Sequence, residues 1–280
     1  MNKRVLIFFP HPLKQRHGGP YSMLFHLQQG LKNFQHGVEF LSDLIPINEQ
    51  QHAVKSSPPF YKKLLKPALP KRWMDRRRIS KWLKEIDETD LGLTATIDLT
   101  KYDIVHFHET IDIWRYRRLL TGFKGKVLLT SHSPKPYHLE LVEDVFKTNQ
   151  QAIGKRLFRQ LEEIDVFAYK KADVLLFPCQ EATEPYLELW PYFSEIIKRK
   201  QIGYVTTGVV PSHISIPSEV IRQQTGIPAD AFVITFVGRK IAVKGYDLLI
   251  EATKIILPIY NDVYFIVVGK KDEEHEHHKR

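Results

Sequence analysis

Cysteine and long apolar runs are scarce in this chain of 280 residues. The single cysteine, Cys179, excludes an intramolecular disulfide framework and a zinc site built on cysteines, and it is typical of a reducing compartment. No apolar run approaches the ~18 residues that a membrane-spanning helix needs. The first apolar run, residues 5–9, is too short for the core of a signal peptide and is stopped by Pro10. The sequence therefore predicts a cytoplasmic protein.

The composition is otherwise that of an ordinary globular protein. Hydrophobic residues make up 43% and charged residues 26%, which is enough apolar material to bury a core. This balance excludes disorder as the main state, and it excludes a collagen-like or coiled-coil rod. The length is about twice that of a typical domain, so the prior expectation is one large domain or two modest ones.

The positive charge is concentrated in one segment. Lys and Arg number 41 against 32 acidic residues. Residues 61–84 hold ten basic residues and one acidic residue, so this stretch alone carries the excess of nine. An otherwise neutral chain with one basic patch indicates an anionic neighbour, either a membrane leaflet or a polyanionic substrate. Nucleic acid is not expected, because the segment contains no base-reading motif.

An apolar stripe at helical spacing accompanies these charges. Such a stripe is typical either of a basic amphipathic helix on a membrane surface or of a helix that packs its apolar side into a core. The segment 61–86 is therefore the candidate contact with an anionic membrane, peripheral on the inner membrane face. The stripe consists of Ile79, Trp82, Leu83 and Ile86.

Strand-like apolar runs alternate with helix-like segments along most of the chain. This alternation predicts an α/β fold with a parallel sheet covered on both faces. A helix is predicted at 21–34, and the strand-like runs are 5–9, 38–44, 104–107, 127–129, 174–177 and 202–205.

A second unit of the same kind begins late in the chain. Residues 211–226, with two prolines, are predicted to be a linker between a Rossmann-like domain at 1–210 and a partial second one at 227–280. The second unit has a strand at 232–237, a helix at 246–257 and a strand at 263–268. Two strands cannot cover both faces of a sheet, so we expect a fragment or the product of a truncated gene.

Two glycines follow the first strand. Gly18 and Gly19 precede Pro20, which suits the first turn of a helix. Glycines there let a ligand approach the backbone, and the helix N-terminus offers free N–H groups to a phosphate. An ordinary strand-to-helix turn explains the pattern about equally well. The third glycine of a dinucleotide fingerprint is missing, which disfavours a nicotinamide site.

Histidines end two neighbouring strands. His106 and His108 lie on one side of their strand by alternation, and ligand sites of open parallel sheets lie at such strand ends. One interpretation is that the pair ligates a metal. The other is that the two histidines differ in environment, with His106 packed and His108 alone reaching the crevice; we favour the second interpretation. Glu109, His132 and Lys135 lie at the same predicted edge.

Two permanent cations mark the second unit. Gly238 and Arg239 end its first strand, and Lys244 and Gly245 precede its helix. Two cations five residues apart, each beside a glycine, suit a diphosphate. A chance pair of surface cations is the alternative.

Residues 236–252, with the order strand, Gly-Arg, short loop, Lys-Gly and helix, resemble the donor-domain signature of one family. This family is the group 1, glycogen-synthase-like family of retaining, nucleotide-sugar-dependent glycosyltransferases. The resemblance implies a GT-B architecture of two Rossmann-like domains, with the acceptor on the N-terminal domain and the nucleotide sugar on the C-terminal one. It implies no metal and no cofactor beyond the donor substrate.

The resemblance also implies roles for individual residues. Arg239 and Lys244 would hold the donor diphosphate, with Gly18 and Gly19 close to it. His108 would lie beside the transferred sugar. The remaining polar residues of that edge are candidates for the acceptor side; they are Glu109, His132 and Lys135.

The function implied is transfer of a sugar from a nucleotide-diphosphate donor to a glycan or lipid-linked acceptor, in polysaccharide or cell-envelope biosynthesis. The family's sugar-gripping glutamates lie further along the second domain than this sequence extends, so we expect the 280-residue chain to be inactive alone. Two alternatives remain. One is a metal-dependent hydrolase using His106, His108 and His132, and the other is a non-catalytic module that binds a membrane surface.

Overall fold

The computed structural model describes residues 3–11, 13, 19–31, 37–44, 70–88, 96–206, 208, 216–240 and 244–269. The chain divides into two compact units, Met1–Val210 (unit 1) and Pro211–Arg280 (unit 2). Of the sequence features named above, Gly18, residues 61–69 of the basic segment and the first part of the linker lie outside the described residues.

Unit 1 contains a parallel sheet of six strands in the order β2-β1-β3-β4-β5-β6. The α/β expectation is therefore confirmed. The predicted strands occur where expected, with bounds that move by one or two residues in most cases. They are β1 (Val5–Phe8), β2 (Val38–Phe40), β3 (Ile104–Phe107), β4 (Lys126–Thr130), β5 (Val174–Phe177) and β6 (Gln201–Tyr204).

Helices connect the strands of unit 1. The described α-helices are α1 (Pro20–Leu31), α2 (Leu41–Leu44), α3 (Lys71–Glu88), α4 (Thr110–Arg115), α5 (Tyr137–Glu140), α6 (Gln150–Ile153), α7 (Lys155–Lys171), α8 (Glu184–Leu189) and α9 (Tyr192–Ile197). A π-helical turn, Leu141–Val145, follows α5 directly.

The expected strand at 38–44 is only half correct. The strand ends at Phe40, and α2 begins at the next residue. Ser42 and Asp43 turn the chain, because Gln28 Nε2 of α1 donates hydrogen bonds to Asp43 Oδ1 (2.6 Å) and to Ser42 Oγ (3.3 Å). A tertiary contact therefore overrides an apolar run that resembled a strand.

The two faces of the sheet differ in how deeply they are buried. Alternate residues of β1, β3, β4 and β5, among them Phe8, Phe107 and Leu129, form the main core beneath α4, α7, α8 and α9. The opposite face packs Ile7 and Phe9 against Leu24 of α1. On that same face the residues of β3, β4 and β5 are only half-buried, which leaves room for cavities there.

The strand order reverses between β1 and β3. The chain leaves β1 for β2 on one side, and β3 then pairs with β1 on the other, with Phe8 opposite Phe107. Open parallel sheets bind ligands at the carboxyl ends of the strands beside such a reversal. His108, directly after β3, lies at this position.

The basic helix α3 packs its apolar stripe into unit 1. Ile79 and Ile86 are buried, and Trp82 and Leu83 are partly buried against a cluster formed by the π-helical turn, α6 and α7. Arg78 lies over the ring of Phe146 and donates to its carbonyl oxygen. Of the two origins considered for the stripe, core packing is therefore the correct one. None of the helices in the described ranges is both long and apolar enough to span a bilayer.

Unit 2 contains two parallel strands and two described helices. The elements are α10 (Ser218–Thr225), β7 (Phe232–Val237), α11 (Tyr246–Ile256) and β8 (Val263–Val268). The strand bounds match the prediction. Helix α10 lies inside the segment 211–226 expected to be a linker; Gly226, with φ +71°, ends it in the left-handed region. Apolar side chains remain exposed, including Leu248 at 76%.

Candidate functional site

Two histidines meet at the carboxyl ends of neighbouring strands. His108 follows β3 and His132 follows β4, and Nδ1 of His108 lies 3.0 Å from Nε2 of His132. The two rings stack, with 5.3 Å between their centroids. Because one imidazole nitrogen must donate and the other accept, each ring fixes the tautomer of the other.

A third histidine adjoins this pair. The rings of His106 and His108 have centroids 4.2 Å apart, and His106 Nε2 lies 2.7 Å from Thr130 Oγ1. His106 is half-buried, whereas His108 is only 2% exposed. The expectation that His106 is packed away and only His108 reaches the crevice is therefore wrong. Both histidines line a cavity, because the face of the sheet that carries them is incompletely covered.

Burial keeps all three imidazoles neutral near neutral pH. Loss of hydration lowers the pKa of His106 and that of His132 to about 4, and it lowers the pKa of His108 well below its ordinary value. His108 Nε2 is buried and finds no hydrogen-bond partner among the described residues. This nitrogen is therefore available to a ligand as a neutral hydrogen-bonding group.

The two cavities flanking the histidine pair differ in character. One, of about 390 Å³, is walled mainly by apolar side chains such as Met23, Leu27 and Leu176, with His106, His108 and His132 among its lining residues. The other, of about 220 Å³, has mostly polar residues in its lining, although carbon atoms supply most of its surface; we call it the polar cavity. Its lining includes His108 and His132 together with Glu109, Ser133, Tyr137 and Glu140.

Glu109 is a half-buried carboxyl at the start of α4. Burial raises its pKa to about 7; the positive charge of Arg115 opposes this shift and the negative charge of Glu140 adds to it. His11 Nε2 lies 3.9 Å from Glu109 Oε2. Glu109 therefore changes its charge near neutral pH and lies where the strand order reverses.

One group of side chains could hold a metal ion within the described residues. Atoms of His11, Glu109 and Asp112 all lie within 4.8 Å of one another. Asp112 is fully buried, and Arg115 Nη1 lies 3.8 Å from its Oδ1, so a fixed cation already compensates part of the acidic charge. The hydrolase alternative placed its metal on three other histidines, whose nitrogens instead bond to one another and to Thr130.

Lys135 does not line either cavity. Its Nζ pairs with Glu143 Oε2 at 2.5 Å and with Asp144 Oδ2 at 2.9 Å, both on the π-helical turn. These hydrogen bonds raise the pKa of Lys135 against the opposing effect of burial, so it stays charged. The ammonium of Lys135 is therefore engaged in ion pairs within the chain; its acceptor-side role stays a prediction.

Asp165 is a buried carboxylate that the sequence reasoning missed, and it joins the segment after β3 to the segment after β4. Asp165 of α7 accepts hydrogen bonds from Thr110 Oγ1 (2.7 Å), from the backbone N–H of His138 (2.9 Å) and from His138 Nδ1 (2.8 Å). Thr110 is two residues beyond His108. A polar residue on the apolar side of α7 was the only signal of this role in the sequence.

A hydroxyl pair supports the loop that carries His132. Ser131 Oγ and Tyr186 OH lie 2.6 Å apart, and Tyr186 OH donates to the carbonyl oxygen of Ser133 at 3.1 Å. Both partners are buried. The residues on each side of His132 are therefore held by one tyrosine from α8.

The glycine loop after β1 is only partly described. Gly19 has φ +65°, in the left-handed region that favours glycine, and its carbonyl oxygen accepts from the N–H of Met23 in α1. A Cβ added at Gly19 would meet no atom of the described residues within 4 Å. Helix α1 begins at Pro20, in agreement with the sequence reasoning.

In unit 2, the ends of β7 and β8 converge beside the two cations. Gly238 N donates to Val268 O at 2.9 Å, and a Cβ added at Gly269 would lie 1.8 Å from Gly238 O. Arg239 and Lys244 are exposed, and neither makes an ion pair or hydrogen bond with another described residue. Within the described residues, both cations are therefore exposed and unpaired.

Helix α11 begins at Tyr246, two residues after Lys244. Gly245 caps it with φ +73° in the left-handed region. Lys244 thus immediately precedes the cap of a helix whose first N–H groups are suited to phosphate. Gly269 was not singled out from the sequence, since only the structure shows how closely it approaches Gly238.

Comparison with known proteins agrees with this fold. The structure of sucrose-phosphate synthase from Thermosynechococcus elongatus is similar to that of this chain, with 19% sequence identity and a TM-score of 0.55. The match covers 98% of this chain and 64% of the synthase chain. Anabaena HepE, solved in complex with UDP and glucose, matches 99% of this chain and 63% of its own, with 15% identity and a TM-score of 0.50. The chain thus spans less than two thirds of the length of either structure. The shared fold is that of the GT-B glycosyltransferases.

The family comparison is more specific but covers less of the chain. The model of the family described as "Glycosyl transferases group 1" matches residues 217–280, which include Arg239 and Lys244. The resemblance to group 1 glycosyltransferases is thereby confirmed for this segment. A comparison with curated proteins gave no match.

Proposed function

We propose that this chain carries the donor-diphosphate and acceptor-side residues of a retaining glycosyltransferase. The enzyme would move a sugar from a nucleotide-diphosphate donor to a glycan or lipid-linked acceptor, in polysaccharide or cell-envelope biosynthesis. The observation that carries the proposal is a pair of exposed cations, Arg239 and Lys244, which make no ion pair with another described residue. They lie at a strand end and just before a helix, within the segment matched by the family model.

These cations would act on the leaving group. When the bond between the sugar and the diphosphate breaks, negative charge develops on the diphosphate oxygens, and two fixed cations stabilise it. The acceptor hydroxyl attacks the anomeric carbon on the same face, and its proton passes to the departing diphosphate.

Unit 1 would supply the acceptor side. His108, neutral and with an unpartnered Nε2, offers a hydrogen bond to a sugar hydroxyl. Its orientation is fixed by His132 at 3.0 Å and by the Asp165 contacts two residues further along the chain. Gly19, at the start of α1, has no described atom within 4 Å of an added Cβ, which would leave room for a phosphate there.

Weak binding and no turnover are expected of the 280-residue chain itself. Within unit 2 the described elements leave Leu248 and Ile255 largely exposed, at 76% and 67%, so few contacts fix the loops that carry Arg239 and Lys244. Misplacement of a reacting group by ~1 Å can cost ~100-fold in rate. A screen of radiolabelled sugar donors should therefore detect no transfer.

Calorimetric titration of UDP and GDP tests the donor site. Arg239→Ala and Lys244→Ala should each weaken nucleotide binding by about tenfold, the typical value of one charged phosphate contact. Lys254→Ala is the matched control, because Lys254 is an exposed lysine of the same unit that pairs with Glu251. Nucleotide binding that both variants leave unchanged would rule out the diphosphate site, and robust transfer would contradict the expected inactivity.

A peripheral position at the cytoplasmic face of the inner membrane is a further part of the proposal. The stripe of α3 is packed, so contact would come from exposed charges such as Arg72, Arg77 and Lys81 and not from insertion of the helix. Co-sedimentation with anionic but not neutral vesicles would support it. The triple Arg72→Ala, Arg77→Ala, Lys81→Ala variant should lose this binding, and equal binding to both vesicle types would remove the idea.

A further inference from the structure

Glu140 has no assigned role, although it lines the polar cavity beside His108 and His132. It ends α5, where the chain enters the π-helical turn. Its Oε2 atom is buried and has no hydrogen-bond partner among the described residues. A carboxylate oxygen in this position needs a donor, because an unpaired buried acceptor is costly.

A second orphan atom belongs to the same cavity. His108 Nε2 is also buried without a partner in the described part of the chain, and the His108 side chain is 2% exposed. Two residues that line one space of about 220 Å³, one from α5 and one at the end of β3, thus each carry an unpartnered polar atom. Ser133 and Tyr137 add hydroxyl groups to its wall. This combination fits one hydroxyl-bearing ring.

The cavity is also acidic. Glu109 and Glu140 both line it, and the charge of Glu140 is felt at Glu109. Lys135 pairs with Glu143 and Asp144, and Arg115 pairs with Asp112. The charge of Arg115 also acts on Glu109, but Arg115 does not line the cavity. A phosphate or carboxylate would face two acidic side chains here, whereas hydroxyl or ammonium groups would donate to them.

We infer that Glu140 is a specificity-determining residue, which together with Glu109 selects an acceptor moiety bearing hydroxyl or amine donors and rejects one bearing phosphate or carboxylate. This inference rests on the proposed function, in which unit 1 binds the acceptor. It adds the chemical class of that acceptor and names a residue that reads it.

The test compares three probes of one ring type on the full 280-residue chain. Glucose, glucosamine and glucose 6-phosphate are titrated by saturation-transfer NMR at about pH 7.5, where Glu109 carries charge for most of the time, with EDTA present to remove metal ions. Glucosamine is expected to bind about fivefold more tightly than glucose, and glucose 6-phosphate at least about tenfold more weakly.

The decisive variant is Glu140→Gln, which keeps the shape of the side chain and removes its charge. It should bring all three affinities within about threefold of one another. Glu195→Gln, the same change at an exposed glutamate of α9, should leave the wild-type order unchanged. Thermal denaturation of both variants shows that they remain folded.

Three outcomes would overturn the inference. They are glucose 6-phosphate binding as tightly as glucose, an unchanged order of affinities in Glu140→Gln, and no detectable binding of any probe. Repeating the titration with Arg239→Ala separates the two proposals. If Arg239→Ala loses UDP binding and keeps the wild-type order of sugar affinities, the result supports both the donor site and the role of Glu140. If Arg239→Ala binds UDP as wild type does and keeps that order, the result counts against the donor site alone.

Discussion

His108 Nδ1 and His132 Nε2 lie 3.0 Å apart, so the loops after β3 and β4 are joined by a hydrogen bond between two neutral imidazoles. A protonated imidazole would lose this bond if its acceptor nitrogen took up the proton, and burial disfavours its charge. The geometry of the site therefore depends on the protonation of these two histidines, and thus on pH.

Acid should destabilise unit 1 through its histidines. The folded pKa values of His106 and His132 are about 4, below the ordinary 6.5, so the unfolded chain binds more protons as the pH falls between these values. The associated stability is complete above pH 6.5 and is lost toward pH 4, by about 1.4 kcal/mol per pH unit for each fully titrating histidine. Urea denaturation of His106→Asn and of His132→Asn should give flatter pH dependences than wild type, and slopes identical to wild type would contradict this expectation.

Glu109→Gln should stabilise the protein at alkaline pH. Burial raises the folded pKa of Glu109 to about 7, so its contribution is present below about pH 4.5 and is lost as the pH rises through 7. Glutamine resembles the protonated acid and removes this loss, which gives a gain of about 1–3 kcal/mol at pH 8.5 and little difference at pH 5. Glu163→Gln, at an exposed position of α7, is the control. A Glu109→Gln variant less stable than wild type at pH 8.5 would show that the ionised carboxylate is favourable.

Asp165→Asn should destabilise unit 1 strongly. The carboxylate is fully buried and accepts three hydrogen bonds from Thr110 and His138, and an amide cannot accept all of them with both of its terminal atoms. We expect a loss of about 2–4 kcal/mol in the free energy of unfolding, measured by urea denaturation. Glu162 lies on the same helix as Asp165 and accepts a single hydrogen bond from Trp190. Glu162→Gln should therefore lower the free energy of unfolding by about 1 kcal/mol. Equal losses of stability in the two variants would mean that the three hydrogen bonds of Asp165 stabilise unit 1 no more than the single hydrogen bond of Glu162.

Gly269→Ala should disrupt the end of the two-stranded sheet in unit 2. An added Cβ would lie 1.8 Å from Gly238 O, a backbone atom that cannot move aside without shifting Arg239. Amide exchange in Phe232–Val237 should accelerate at least about 30-fold, corresponding to about 2 kcal/mol. Gly226→Ala is the matched control, since Gly226 also has a positive φ but a Cβ there would meet no described atom within 4 Å. Unchanged exchange in Gly269→Ala would show that the strand ends separate easily.

The elements that sequence reasoning placed well are those governed by local pattern. Apolar runs located β7 at Phe232–Val237 and β8 at Val263–Val268, and alternation correctly put His106 and His108 on one side of β3. Strand order then explains why His132 joins them, because β3 and β4 are neighbours.

Tertiary packing determined the features that sequence reasoning missed. Glu140 and Asp165 lie on helices, and nothing in their spacing shows that one faces a cavity and the other ties two loops together. Lys135 resembled a binding residue until its pairing with Glu143 became visible, because surface lysines and ligand-binding lysines look alike in sequence. The apolar stripe of α3 was compatible with membrane contact and with core packing, and only its tertiary contacts show that it packs into the core.

The donor-site proposal is tested most directly by mapping where UDP perturbs the backbone amide signals of the 280-residue chain. The account predicts shifts at Gly238, Arg239 and Gly245, at the end of β7 and the start of α11, and their loss in Arg239→Ala but not in Lys254→Ala. Shifts confined to unit 1, or shifts in unit 2 that survive the loss of Arg239, would contradict it.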